Sequence, residues 1–475
     1  MSGDVGFPQK LLVAIASYGT NNDSYLARLI EEYQAMPLSV RIVVLSNLQK
    51  PVPAGVELIV GMPTEDPWSL PFAHKKVLAE GINNHDLFIY SEDDTLIKYR
   101  HIEAFLRVSA SLPENEIPGF FRYEEYGNRQ KNYAELHGHF HWDAASVVKR
   151  GDYVFAYLTN EHSACYLLTQ RQLRKAMDSG GFLVPPHKGK YDLACTASTD
   201  PYTQCGFRRI VCISHFDDFL IQHLPNKYVG TRFGINEEEL RTQLAALLRI
   251  NSNRDRAESL FETETRLPDA KYSKDYYEPV SPDVVAAIPK NAHAILSIGC
   301  GAGTLETSLI HAGKRVTAVP IDPAISARAA SEGVEMVYGD FGTAREQLSG
   351  RQFDCVIFSN VLHLVPDPKL IVSSFGNLLS NGGVAVVRVP NLARFPELWK
   401  KLSGVPHFQD LGNYGKSGTH FTSFSGVNNW FKSAGLKPGK IVGVFSSSER
   451  KASRLTLGMV DRFLASELIA IGKKI

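Results

Sequence analysis

The stretch Ala294–Gly313, AILSIGCGAGTLETSLIHAG, decides how the second half of the chain folds. A short apolar run leads into three glycines at alternate positions, Gly299, Gly301 and Gly303, and then into a segment of helical period. Glycines let the backbone turn with positive φ and approach a ligand closely, and the following helix offers unpaired N–H groups. The spacing is G-x-G-x-G and not the G-x-G-x-x-G of nicotinamide or flavin binders, which points to a different adenosine ligand. Further apolar runs follow in order: KRVTAVPID (314–322), a short piece ending in YGDF (338–341), FDCVIFSNVLHLVPDP (353–368) and LLSNGGVAVVRVPN (378–391). Strands alternating with helices predict a parallel sheet in an α/β domain.

The same alternation appears at the N-terminal end. LLVAIAS (11–17) and RIVVLS (41–46) are β-branched runs separated by the amphipathic SYLARLIEEYQAM (24–36), a βαβ unit. Between the halves, residues 236–266 are charged, of helical period and free of Gly and Pro. Residues 1–235 and 271–475 are therefore expected to be two α/β domains, joined by a helical linker over 236–270. A hinge and a tether are both open, and Leu240, Leu244, Leu247 and Leu248 favour a docked helix. At 475 residues the chain is too long for one ordinary core.

Composition narrows the partners. Lys and Arg number 51 against 50 Asp and Glu, so bulk charge gives no case for nucleic acid or an anionic membrane. No apolar run approaches the roughly twenty residues of a membrane span and the first residues carry no secretory pattern, which predicts a cytoplasmic protein without a transmembrane segment. Cys165, Cys195, Cys205, Cys212, Cys300 and Cys355 form no C-x-x-C pair, which predicts buried thiols and not disulfides or a zinc site.

After the apolar LFIY (87–90) comes SEDDTLI (91–97), three carboxylates at the end of a buried strand. Unpaired carboxylates away from water are costly, so Glu92, Asp93 and Asp94 require a positive partner unless they form a solvated turn. Hard oxygen ligands suit Mg²⁺ or Mn²⁺. Ser17 and Tyr18 follow the first strand, where an α/β crevice opens, and Lys75 or Lys76 could serve a diphosphate or stand at the surface. Asp217 and Asp218 either cap a helix or act in chemistry. His137, His139 and His141 alternate as strand neighbours do, without an acid or thiol partner at ligand spacing, so an acceptor-binding or structural strand is expected. His363 and His420 are candidate bases, or packing residues.

From about Lys271 onward the chain resembles the class I S-adenosylmethionine-dependent methyltransferases. That resemblance implies that Gly299, Gly301 and Gly303 lie beneath the methionine part and ribose, that Asp340 accepts from the adenine amino group with Phe341 stacked nearby, and that Asn360 stands where the crevice opens. In the related sugar-modifying methyltransferases a pattern like E-x-D-P holds the ribose hydroxyls, and this chain has Pro320-Ile321-Asp322-Pro323. Either Asp322 reaches the ribose, or affinity falls, or methylation is lost. Residues 389–402 and 418–436 resemble the acceptor side of methyltransferases from polysaccharide gene clusters, which implies a sugar hydroxyl.

EDDTLI (92–97) with residues 102–124, then 154–177 and SHFDDFLIQHLPNKYVG (214–230), resembles exostosin-like glycosyltransferases of the GT-A type. The resemblance implies a nucleotide-sugar donor, Mn²⁺ or Mg²⁺ on Asp94 with Glu92 at the metal or donor ribose, Asp93, Ser17, Tyr18 and Lys75 on the donor side, Asp218 at the reacting centre, and a lean toward retention. The first triplet position is Glu, and an insertion spans 181–209. Together the halves imply a bifunctional enzyme of surface polysaccharide or lipopolysaccharide assembly acting on a glycan or lipid-linked glycan. The alternative is one activity beside a glycan-binding, scaffold or dimerisation module. Oligomeric state is not legible.

Overall fold

A computed structural model describes residues 9–252, 259–446, 449–451 and 461–475; residues 253–258 of the expected linker fall outside them. The chain divides into two compact units. One holds the residues up to Leu136 together with Ser146–Arg241, and the other holds His137–Ala145 together with Thr242–Ile475. The second unit therefore takes in a segment of the first half as well as most of the expected linker.

The first unit is built on the strands β1 (Lys10–Ser17), β2 (Ser39–Ser46), β3 (Val56–Val60), β4 (Leu87–Glu92) and β5 (Cys165–Thr169), in the order β5-β4-β1-β2-β3. β1 to β4 are parallel and β5 runs antiparallel to β4. Residues Leu11–Ile15 of β1 are fully buried, as a central parallel strand covered on both faces must be. The helix Asp23–Gln34 buries Leu26, Leu29, Ile30 and Tyr33, the stripe its sequence predicts. A smaller sheet in this unit pairs His223 with Thr95 and Gln222 with Leu96, which carries the end of SHFDDFLIQH to the acid triplet.

The second unit contains β6 (Ala294–Cys300), β7 (Arg315–Pro320), β8 (Glu335–Met336), β9 (Phe353–Ser359), β10 (Leu379–Pro390), β11 (Lys437–Val444) and β12 (Glu467–Lys473). Their order is β8-β7-β6-β9-β10-β12-β11. The first five are parallel; β12 is antiparallel to both its neighbours. Strand order reverses between β6 and β9, so a ligand crevice opens beyond their C-terminal ends. The helix Glu237–Ser252 buries Leu240, Leu244 and Leu247 and leaves Leu248 partly exposed. All six cysteines are free thiols. No helix among the described residues is long and apolar enough to cross a membrane.

Candidate functional site

In the first unit the acid triplet stands at the C-terminal end of β4, beside Ala16 of β1. Its members have different partners. Asp93 accepts from Ser17 Oγ at 2.6 Å and Asn22 Nδ2 at 2.8 Å, and Lys50 Nζ binds Ser17 Oγ, Gly19 O and Asp23 at 2.6–2.9 Å. Ser17 and Asp93 thus fasten β1 to β4. Asp94 faces Lys227 Nζ at 3.4 Å and His223 Nε2 at 3.5 Å, and His223 Nδ1 is 2.7 Å from Glu124. Glu92 lies 4.0 Å from His162. Burial pushes the Glu92 carboxyl up, and Asp94 adds to the push. Burial pushes Asp94 the same way, but His223, Lys227 and Arg122 outweigh it and hold Asp94 below the usual carboxylate range.

The expected positive partner of the triplet is therefore supplied here by the chain's own cations. Among the described residues no group of three or more His, Cys, Asp or Glu is placed to hold a metal ion. His223 and Lys227 were missed in the sequence although they lie in the quoted late motif. The residue expected at the reacting centre was Asp218. Asp218 sits in a short 3-10 turn anchored by Phe216 and Phe219, where it pairs with Arg107 at 2.9 Å on a half-exposed surface; Asp217 pairs with Arg241 at 2.6 Å. Neither side chain touches the triplet. Lys75, expected at a diphosphate, is 2% exposed and ion-paired to buried Asp200. Lys76 is exposed and near Glu80. Tyr18 is 53% exposed at the end of β1.

In the second unit the glycine turn has the form its sequence predicts. Gly299 and Gly303 take φ of +79° and +77°; a Cβ on Gly299 would lie 2.5 Å from Val361, and one on Gly303 2.3 Å from Ala329. A Cβ on Gly301 would collide with the carbonyl of Tyr276, which accepts from Ala302 N at 2.7 Å. Asn360, at φ +53°, donates to Glu278 at 3.0 Å and its buried Oδ1 has no hydrogen-bond partner. Asp340 is exposed and caps the helix Phe341–Gln347 through Thr343 N at 2.7 Å, while Phe341 stacks on Phe261 at 5.4 Å.

Both Asp322 carboxylate oxygens accept backbone hydrogen bonds. One carboxylate oxygen accepts from Ala324 N and Ile325 N and the other from Trp142 N, all within 3.1 Å, so the acid ties its own turn to the His137–Ala145 segment. His141 in that segment stacks on Tyr276 at 4.8 Å. His363 is buried, and its Nε2 lies 2.8 Å from Tyr272 O. A carbonyl only accepts, so Nε2 carries the proton and Nδ1, which has no partner, keeps its lone pair. Burial pulls its pKa down to about 4, so the ring is neutral at neutral pH. His420 Nε2 faces Val365 O at 2.9 Å, its ring stacks on Tyr414, and its backbone N–H donates to His363 O.

The sheet order, glycine turn and open strand ends of the second unit define a Rossmann-like enzyme domain for an adenosine cofactor. The family described as a methyltransferase domain matches residues 253–439. A ubiquinone biosynthesis O-methyltransferase of Xylella fastidiosa is 30% identical over 190 residues, covering 38% of this chain and 75% of that protein. One of Xanthomonas axonopodis pv. citri is 28% identical over 197 residues, covering 39% and 81%. A solved S-adenosylmethionine-dependent methyltransferase of Methanosarcina mazei aligns at 17% identity over 42% of this chain and 99% of its own, with a TM-score of 0.31. The chain belongs to the class I S-adenosylmethionine-dependent methyltransferases through this domain.

The residues present fit the cofactor's methionine tail, because the glycine cradle holds an orphaned buried acceptor on Asn360 and a buried ammonium on Lys274. At the C-terminal end of β7, Pro320 offers no acceptor side chain and the Asp322 carboxylate is hydrogen-bonded to backbone N–H groups.

Proposed function

We propose that this protein is a two-part transferase whose methyltransferase domain O-methylates a sugar hydroxyl and whose first unit transfers a sugar from a nucleotide-sugar donor to a glycan or lipid-linked glycan. The observation that carries the first-unit reading is the acid triplet at the C-terminal end of β4, with Asp94 facing His223 and Lys227. Ligands of parallel α/β sheets bind beyond the strand ends, and a diphosphate leaving group requires positive charge there. In this reading Asp93 only fastens the strands. Asp94 and Glu92 would hold Mn²⁺ or Mg²⁺, hard cations suited to carboxylate oxygens, and Lys227 would face the diphosphate. The ion would neutralise charge on the departing phosphate.

In the second unit the bound cofactor supplies an activated methyl group on a sulfonium. The chain's part is to orient the acceptor and take its proton. His363 Nδ1 is the atom with a free lone pair, and the Tyr272 carbonyl fixes its tautomer. A pKa of about 4 makes His363 a weak base, suited to a proton already leaving.

The test is turnover of UDP-, GDP- and TDP-sugars with Mn²⁺ by the whole protein, against Asp94→Ala and against chelator. Turnover of one donor that collapses by more than tenfold in both arms supports the reading. Nucleotide binding without turnover, unchanged in the variant, sinks it and makes the first unit a binding module.

A further inference from the structure

At the floor of the glycine cradle lies an ion pair that the family assignment does not explain. Lys274 Nζ pairs with Glu278 and also donates to Ser359 O at 2.9 Å; the Lys274 side chain is 1% exposed. Glu278 further accepts from Ser359 Oγ at 3.2 Å, Asn360 Nδ2 at 3.0 Å and Arg388 Nη1 at 3.1 Å. Burial pushes the Glu278 carboxyl up, but Lys274 and Arg388 outweigh it and hold it below its ordinary value.

Lys274 and Glu278 line a cavity of about 20 Å³ together with Gly299, Gly301, Gly303 and Ser359. That space holds about one water molecule, so a bound tail must part the pair to enter. Parting a buried ion pair is strongly unfavourable unless each charge meets a new partner. An α-amino-acid tail brings both partners at once: its carboxylate matches the ammonium and its ammonium matches the carboxylate. The exchange leaves the net charge of the cradle unchanged. The lone Asn360 Oδ1 gives the incoming ammonium a second acceptor.

We infer that Lys274 and Glu278 are the recognition pair for the zwitterionic α-amino-acid tail of the cofactor, closed on each other until that tail separates them. The inference rests on the cofactor assignment of the family, and the test keeps the two apart. Binding is measured by calorimetry on the full chain with S-adenosylhomocysteine and with 5′-methylthioadenosine, which keeps the adenosine and sulfur but lacks the amino-acid tail. Wild type is expected to bind S-adenosylhomocysteine at least tenfold more tightly. Lys274→Gln and Glu278→Gln should each weaken it by tenfold or more while leaving methylthioadenosine within threefold, which also reports that the variants are folded. Lys274→Arg should restore part of the loss. Equal affinity of wild type for the two ligands, or variants that weaken both in parallel, overturns the inference alone. Failure of wild type to bind either ligand overturns it together with the cofactor assignment.

Discussion

At the scale of single residues, placement of charge separates the structural groups from the working ones. Lys75 and Asp200 are an ion pair in the core, so Lys75→Met should destabilise the first unit by about 3–5 kcal/mol by leaving a buried carboxylate unpaired; denaturant unfolding of the variant checks this. His363 has the opposite burden, a ring that must stay neutral. Its pKa falls from 6.5 unfolded to about 4 folded, so its contribution is fully present above pH 6.5 and is lost as pH drops toward 4, on the order of 3 kcal/mol. Between pH 7 and 4 the melting temperature of His363→Gln should therefore fall less than that of wild type. A parallel fall in both proteins rejects this. The residue scale is also where the sequence was least legible. SEDDTLI announced a charged cluster, but only the fold shows Asp93 bound to Ser17 while Asp94 turns to His223 and Lys227. Asp217 and Asp218 look alike in one dimension, and only the fold shows that the 3-10 turn pairs them with two different arginines, Arg241 and Arg107.

Elements were far more legible, because periodicity and glycine spacing are local properties. The runs at Leu11–Ser17 and Ala294–Cys300 form central strands, and the G-x-G-x-G turn adopts the positive φ that its composition allows. The role of Pro320-Ile321-Asp322 was legible only as a departure, because its partner Trp142 is 180 residues distant. At this scale glycines are separable by surroundings. Gly303→Ala, with strained φ and a Cβ against Ala329, should abolish S-adenosylhomocysteine binding and lower stability by more than about 2 kcal/mol. Gly313→Ala has similar φ but open space around it, and should cost about 1 kcal/mol with binding retained. Equal loss in the two variants, measured by unfolding and calorimetry, contradicts the steric account.

For the whole molecule, the units do not follow the order of the chain. The sequence placed the passage between domains near residue 235, whereas the second unit also draws in His137–Ala145. That segment gives Trp142 N to Asp322, Gly138 O to Tyr276 N and the His141 ring to the Tyr276 face. No local pattern marks a nine-residue loan of this kind. Residues 242–475 expressed alone should therefore melt below the corresponding transition of the full chain, and a melting temperature equal to it would show that the borrowed segment is dispensable.

The borrowed segment also changes what a cut in the chain can do. The polypeptide passes between the units at 136/137, 145/146 and 241/242. A protease that nicks the chain after Arg241 severs the last passage only, and the N-terminal fragment still has nine residues woven into the other body. Such a clipped protein should travel as one particle through a sizing column until denaturant is added.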